Sequence, residues 1–359
     1  MPQEFSTLDA LLANGFDSII DVRSPAEFAE DHIPGAVNLP ALDDAQRAEI
    51  GTTFKQISPF DARKLGAGMV IRNVAGHIDG PLSGKDGAWR PILYCWRGGQ
   101  RSGVFGTILS EIGWRAQTIK GGYQTYRRLV YRFLYEAPLP HQVVLLDGYT
   151  GTAKTALLER LAKRGAQILD LEALAHHRGS LLGGLQHAQP MQKGFETSLA
   201  AALHALDPTR PVIIEAESSK IGKITLPPSV WKAMQSGPRI VLEVPRPIRA
   251  AYLARAYEDI LSDPTTLAAR LEPLRRLRGH AIVDRWVKLS QDGALPELSA
   301  ALITEHYDPA YDKSRRIAGN TTVANVKVES LNDEGLDIAA DQVMIAADAI
   351  QVQLSAPAT

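Results

Sequence analysis

A chain of 359 residues, 45% hydrophobic and 22% charged, is long enough for two domains with separate cores and has the make-up of an ordinary globular protein. Its single cysteine excludes an intramolecular disulfide framework and a cysteine-rich zinc site, and a formal net charge of −1 leaves any nucleic-acid binding to local basic patches. The start, Met1-Pro2-Gln3-Glu4-Phe5, lacks the basic residues and apolar core of a secretory signal, and no apolar run reaches the length of a membrane span. A reducing cytoplasm is the expected compartment.

Phe16–Arg23 is a short β-rich run. Ser24 suits a helix N-cap, Pro25 the first helical position and Glu27 the third, so a helix follows. His32-Ile33-Pro34-Gly35 then makes a turn into the extended piece Ala36–Pro40, the rhythm of an α/β domain. From Ala41 to Arg90 the pattern is helical, with Phe54, Phe60, Leu65, Met69 and Val70 as expected core positions.

Ile92-Leu93-Tyr94-Cys95 reads as a strand ending in the sole thiol, followed by the loop Trp96-Arg97-Gly98-Gly99-Gln100-Arg101 and a helix beginning near Ser102. Gly98 and Gly99 let backbone N–H groups turn onto one centre, and the helix N-terminus adds positive potential there. Arg97 and Arg101 are candidates to add full charges. A cysteine beside such an anion nest is a candidate catalytic thiolate, Cys95. The plain alternative is a small buried hydrophobe at a strand end. A core thiol needs no anion nest after it, which favours the reactive reading.

Ala116–Lys120 with Gly121-Gly122-Tyr123 suggests another βα step. From Cys95 to Tyr135, seven basic residues (Arg97, Arg101, Arg115, Lys120, Arg127, Arg128, Arg132) face one acid, Glu111. Tyr123, Tyr126, Tyr131 and Phe133 are interleaved with them. Basic groups holding phosphates and aromatics stacking bases is one reading; an amphipathic helix with core aromatics and solvated arginines is the other.

Glu136-Ala137-Pro138-Leu139-Pro140 has the look of a linker between a first domain, 1–135, and a second, 141–359. Gln142–Asp147 is a buried-strand run, Gly148-Tyr149-Thr150-Gly151-Thr152-Ala153-Lys154-Thr155 a glycine-bearing loop, and Ala156-Leu157-Leu158 the start of a helix. That is the context of a phosphate-binding loop. Its amides, with Gly148, Gly151 and Thr152 in it, wrap a diphosphate; Lys154 neutralises it and Thr155 is placed to ligate Mg²⁺. Ala153 stands where the common pattern has glycine, and fits if its φ is negative. Val212-Ile213-Ile214-Glu215-Ala216-Glu217 is a strand with Glu215 and Glu217 on one side, either near Mg²⁺ and substrate or paired with Lys220 or Lys223. Adjacent His176 and His177 diverge, so no metal site is read there; His177 and Arg178 suit clamping a phosphate. Arg246, Arg249, Arg255, Arg270, Arg275, Arg276, Arg278 and Arg285 form a basic helical segment, a second candidate RNA-facing surface with a solvated helical face as the alternative.

Asp21–Phe28 and His32–Ala36 resemble the front signature of rhodanese-like sulfurtransferase domains, and the Cys95 loop resembles their active-site loop. That resemblance implies a doubly wound parallel sheet, with Asp21 and Arg23 bracing the core and Cys95 carrying sulfur or selenium. The order of this loop and the phosphate loop is similar to that of the tRNA 2-selenouridine synthase family. Further matching stretches are Gly51–Gln56, Lys64–Ala67, Gly121–Tyr123, Asp170–Glu172, His177–Ser180, Gln189–Glu196, Glu215–Ser218, Ile221-Gly222 and His306–Tyr311. The resemblance covers about residues 5–315, and Arg316–Thr359 has no match.

By this resemblance the fold is α/β, a rhodanese-like sheet followed by a P-loop NTPase-like α/β domain with helical additions. The implied reaction replaces sulfur by selenium at C2 of a wobble 2-thiouridine in tRNA, first prenylating that sulfur with geranyl diphosphate and then taking selenium from selenophosphate. The implied partners are tRNA and an enzyme that supplies selenophosphate. Competing expectations are a P-loop kinase with a regulatory rhodanese-like module, a plain sulfurtransferase indifferent to Lys154, and a non-enzymatic RNA or anion sensor.

Overall fold

The computed structural model describes residues 2–179, 188–261, 263–317 and 321–355; Ser180, at the end of one matched stretch, lies outside them. The chain divides into two compact units, Met1–Ala137 with Pro190–His204, and Pro138–Gln189 with Ala205–Thr359.

In the first unit, strands β1 (Pro2–Gln3), β2 (Ser18–Asp21), β3 (Ala36–Asn38), β4 (Pro91–Tyr94) and β5 (Gln117–Ile119) form one sheet in the order β1-β5-β4-β2-β3, every pair parallel. Parallel neighbours require crossovers, and helices supply them. The Pro25–Glu30 crossover opens as its sequence suggests, with Pro25 in the first turn and the Ser24 N–H donating to the Glu27 carboxylate at 3.2 Å. Strand β4 is buried at every position, the continuous apolar run of a strand covered on both faces. Ile20, Val22, Leu93, Phe105 and Leu109 pack with Met69 and Val70 as one core.

One expectation for this unit is corrected, and one pair of alternatives is decided. Phe54 and Phe60 are 53% and 66% exposed rather than core. Ser58 caps a new helix, Pro59–Asp79, after helix Asp44–Gln56, so one helical periodicity does not run through both phenylalanines. The aromatic-basic stretch is a packing element: Tyr123, Tyr126, Leu129 and Val130 of helix Gly122–Tyr131 are buried. Arg127 pairs with Glu196 and, at 3.6 Å, with Asp31. Arg128, Tyr131 and Arg132 stay on the outer face.

Helix Gln192–His204 belongs to this unit although by sequence it lies inside 141–359. The cause is chemical. Phe195, Leu199 and Leu203 are buried, Tyr135 donates to Glu196 at 2.7 Å, Tyr126 to Thr197 at 3.1 Å and Lys193 to Glu30 at 2.6 Å. Glu196 is itself buried, which leaves it dependent on Arg127 and Tyr135.

The second unit holds β6 (Val143–Asp147), β7 (Gln167–Leu169), β8 (Val212–Glu215), the short antiparallel pair β9 (Lys220–Ile221) and β10 (Ile224–Thr225), β11 (Arg239–Glu243) and β12 (Thr322–Lys327). Its main sheet runs β12-β11-β6-β8-β7, all parallel, with β6 buried throughout. The unmatched C-terminal stretch completes this core: β12 joins the sheet edge, and Leu336, Ala340 and Val343 of helix Asp333–Ser355 pack with Leu157, Leu158 and Leu161. Between β11 and β12 a helical block builds its own core around Trp286, Leu298 and Leu302.

The arginines of that block are largely spent inside it. Arg246 and Arg249 pair with Asp308, Arg275 with Glu272 and Asp284, and Arg285 with Glu305, while Arg278 donates to the His306 carbonyl at 3.1 Å. The continuous basic surface expected there is reduced by these pairs, because the block's own acids lie within reach.

Candidate active site

Strand β4 delivers Cys95 to the carboxyl end of its sheet, where open α/β sheets gather ligands. Cys95 is 4% exposed and packs with the core, as the plain reading has it, yet its Sγ also accepts hydrogen bonds. The Gly99 N–H donates to it at 3.2 Å and the Ser102 hydroxyl at 3.3 Å. Burial of the sulfur opposes ionisation; the Ser102 and Gly99 hydrogen bonds and the charge of Arg101 outweigh it and bring the thiol below its usual range.

The loop is held by its neighbours. Gly98 has φ +64°, and a Cβ there would lie 2.5 Å from the Ile119 carbonyl oxygen. The Tyr123 N–H donates to the Cys95 carbonyl at 2.8 Å and the Gln124 N–H to the Trp96 carbonyl at 3.1 Å, so the first turn of helix Gly122–Tyr131 satisfies the loop's carbonyls. Beneath them Arg23, buried, donates to Asp21 and, at 2.6 Å, to the Asp31 carbonyl. Its guanidinium carbon lies 3.9 Å from the Tyr123 ring centroid, and Tyr123 donates to Asp31 at 2.6 Å. Asp21 and Arg23 thus brace the loop from below.

The two loop arginines part company. Arg101 donates to Glu27 at 2.7 Å, so part of its charge is already answered. Arg97 is exposed and makes no ion pair among the described residues. Helix Gln100–Ile112 starts with Gly99 as its N-cap, two residues before Ser102.

In the second unit β6 ends at Asp147, and the loop that follows leads into helix Lys154–Lys163. Gly151 has φ +85°, and a Cβ there would lie 2.9 Å from the Arg249 carbonyl oxygen. A Cβ on Gly148 would meet Thr152 Oγ1 at 2.6 Å; that hydroxyl donates to the Tyr149 carbonyl at 2.8 Å. Arg249 donates to the Thr150 carbonyl at 3.1 Å and to Asp308 at 2.9 Å, clamping the loop from outside. Ala153 takes φ +59° and ψ +34°, the left-handed conformation rather than the negative φ expected for an alanine. The turn demands the geometry that glycine ordinarily fills, and alanine adopts it at a cost.

Lys154 Nζ donates to the Gly148 carbonyl at 2.8 Å, and Thr155 Oγ1 to Glu172 at 3.3 Å. Glu172, Glu215 and Glu217 each bring a carboxylate oxygen within 4.8 Å of the others. The Glu172 N–H donates to Glu215 at 2.9 Å, while Glu215 Oε2 is buried without a hydrogen-bond partner among the described residues. Burial, then the charge of Glu217, push Glu172 up to about 8; burial, then the charges of Glu172 and Glu217, raise Glu215, and burial raises Glu217 against the opposing charge of Lys154 and the hydrogen bond from Glu172. Neither Lys220 nor Lys223 forms an ion pair with these acids among the described residues. An all-oxygen set with an orphaned carboxylate oxygen fits a hard divalent cation such as Mg²⁺. Gly179, φ +64°, closes over them: a Cβ there would stand 2.4 Å from Glu172 Oε1.

The phosphate loop opens on a cavity of about 620 Å³. His177 and Arg178 line it; His177 Nδ1 is buried without a partner among the described residues, and burial followed by the charge of Arg270 keeps its pKa low. Arg178 lies over the Tyr257 ring, 4.9 Å from its centroid. The lining also includes the apolar and aromatic residues Trp231, Met234, Leu253, Ala256, Tyr257 and Tyr307, beside Gln235, Arg239 and His306. Sequence reasoning assigned no role to several groups that build this site. Tyr311 donates to Asp147, and Arg239 pairs with Asp147 at 3.1 Å. Glu172 and Tyr311 lie in stretches that match the family, which is the only signal the sequence offers for them.

Residues 4–129 match the model of the rhodanese-like domain, and residues 141–272 match that of the tRNA 2-selenouridine synthase AAA domain. A Shewanella loihica protein named tRNA 2-selenouridine synthase is 34% identical over 331 residues, covering 84% of this chain and 87% of its own. One of the same name from Chromohalobacter salexigens is 35% identical over 328 residues, 82% and 86% of the two chains. Another, from Nitrosomonas europaea, is 37% identical over 257 residues, 70% of this chain and 66% of its own. With both domain models matched in order and relatives aligned over most of their length, the chain belongs to the tRNA 2-selenouridine synthase family.

Proposed function

We propose that the protein replaces sulfur by selenium at C2 of wobble 2-thiouridine in tRNA, in two steps divided between its two anion-binding loops. The observation that carries this is the cavity behind the phosphate loop, where a diphosphate cradle gives onto a wall of Trp231, Met234, Leu253 and Tyr257. A polar head and an apolar body suit geranyl diphosphate. In the first step the thiocarbonyl sulfur attacks C1 of the prenyl chain, the C1–O bond breaks, and diphosphate leaves. The loop amides, Lys154 and Arg178 hold the departing charge. Thr155, Glu172, Glu215 and Glu217 would hold Mg²⁺, which when bound adds positive charge beside the diphosphate.

Prenylation turns a poor leaving group into a thiol. In the second step selenium from selenophosphate adds at C2 and the C2–S bond breaks. The Gly98-Gly99 backbone and Arg101 hold the donor's phosphate; the Cys95 thiolate attacks C2 and expels the prenyl thiol, and the donor's selenium then displaces Cys95 from C2 as the P–Se bond breaks and the phosphoryl group passes to water. Arg97, exposed and unpaired, meets the incoming tRNA or donor. An enzyme that makes selenophosphate is the expected supplier.

Mass spectrometry of the wobble nucleoside tests the division. Lys154→Ala blocks S-prenylation, whereas Cys95→Ala lets the S-prenyl nucleoside accumulate. Robust tRNA-dependent ATP hydrolysis without prenyl transfer would sink the reading.

A further inference from the structure

The first unit carries a second concavity beside the thiol's loop. It is a groove of about 550 Å³ lined by the facing helices Asp44–Gln56 and Pro59–Asp79 and by the first turns of helix Gln100–Ile112. Leu42, Ile50, Phe54, Ala67, Val70 and Val104 give it an apolar floor and wall, with Arg47, Arg63 and Arg101 also lining it. Phe54 and Val104 are 53% and 37% exposed, so hydrocarbon faces water there. The groove shares Arg101 with the anion cradle: Arg101 lines it and its charge helps lower the Cys95 thiol, while the next residue, Ser102, donates to Cys95 Sγ at 3.3 Å.

The exchange chemistry of the Cys95 loop needs no such surface. Selenophosphate is a small polar anion, and 2-thiouridine is a polar base with no aliphatic arm. An apolar wall that shares Arg101 with an anion cradle fits a substrate whose reacting carbon is polar and whose leaving thiol carries a hydrocarbon chain.

We propose that this groove seats the prenyl arm of the S-prenylated nucleoside while the Cys95 loop acts at its C2. This rests on the prenylation reading above, and extends it by giving the arm a second seat, distinct from the cavity behind the phosphate loop. At this step the C2–Se bond forms and the C2–S bond breaks. The arm leaves as the prenyl thiolate and takes a proton from water, while the phosphoryl group of selenophosphate passes to water as inorganic phosphate. Seating the arm positions C2 at the cradle and disfavours unprenylated 2-thiouridine, which has nothing to place in the groove.

The test bypasses the first step. Full-length protein is given selenophosphate and tRNA prepared with either S-geranyl-2-thiouridine or S-methyl-2-thiouridine at the wobble position, both activated for displacement but only one with an arm. Ala67→Phe fills the groove from an exposed helix position, and Val104→Ser makes its wall polar; thermal melts confirm that both variants are folded. The expected result is a KM for the S-geranyl tRNA raised about tenfold in each variant, with kcat and the S-methyl reaction unchanged. Equal effects on the two substrates, or none on either, overturn the groove. A separate arm gives the wild-type protein unmodified 2-thiouridine tRNA and geranyl diphosphate. No S-geranyl product there, with the groove effect intact, removes the prenylation reading and leaves the groove standing.

Discussion

Gly122 stands so close to Cys95 that a Cβ on it would lie 2.2 Å from the Cys95 carbonyl oxygen, in a backbone conformation of φ +58°. The thiol's loop and the first turn of helix Gly122–Tyr131 are therefore built as one piece. Gly122→Ala pays both for left-handed backbone and for the collision, a loss of about 2 kcal/mol or more. A lowered melting temperature and a slower reaction of Cys95 with iodoacetamide are the expected outcomes.

The thiolate character of Cys95 rests on hydrogen bonds that favour the charged sulfur. Its alkylation rate therefore rises with pH through a midpoint below that of an ordinary thiol. Ser102→Ala removes one donor and moves the midpoint upward. A pH–rate profile of the two proteins reads the difference; coincident curves would exclude a role for the hydroxyl.

Glu172 titrates near 8 in the folded chain, above an ordinary carboxylate. A raised folded pKa means that its contribution to stability is fully present below the unfolded pKa, near 4.5, and is lost as pH climbs through about 8. Glu172→Gln should melt with less pH dependence between about pH 5 and pH 8, and be more stable than the parent at alkaline pH. Added MgCl₂ should raise the melting temperature of the parent at pH 8 and have little effect on the variant.

Ala153 holds a left-handed backbone conformation at the N-terminus of helix Lys154–Lys163. Ala153→Gly relieves about 1 kcal/mol or more of strain and returns part of it as unfolded-state entropy, a net gain of about 0.5 kcal/mol. A small rise in melting temperature with prenylation retained is expected.

Arg127 and Arg128 separate packing from RNA contact. Arg127 is held between Glu196 and Asp31, so Arg127→Ala leaves buried carboxylates unpaired and costs about 3 kcal/mol. Arg128 is exposed, and Arg128→Ala should leave the melting temperature unchanged. Any loss of tRNA affinity in the Arg128 variant, read by filter binding across salt concentrations, reports a phosphate contact.

The local motifs were legible from the residues alone. A strand ending in Cys95, glycines, and a helix start is written in eleven consecutive positions, and the phosphate loop in eight more, because backbone turns and helix caps are decided by near neighbours. Tertiary structure alone decided what those motifs face. Glu172, from helix Leu171–Leu174, meets Glu215 at the end of β8; Tyr311 crosses 164 positions of sequence to reach Asp147; helix Gln192–His204 packs with the first unit, although it follows the phosphate loop in the chain. The same holds for Tyr123, Tyr126 and Arg127, whose stacking and charge looked suited to RNA until burial beside Asp31, Glu196 and Thr197 assigned them to the core. Charge and aromaticity are properties of a residue, but whether they face water or a buried partner depends on contacts between segments far apart in sequence, and periodicity within one helix carries no record of that partner.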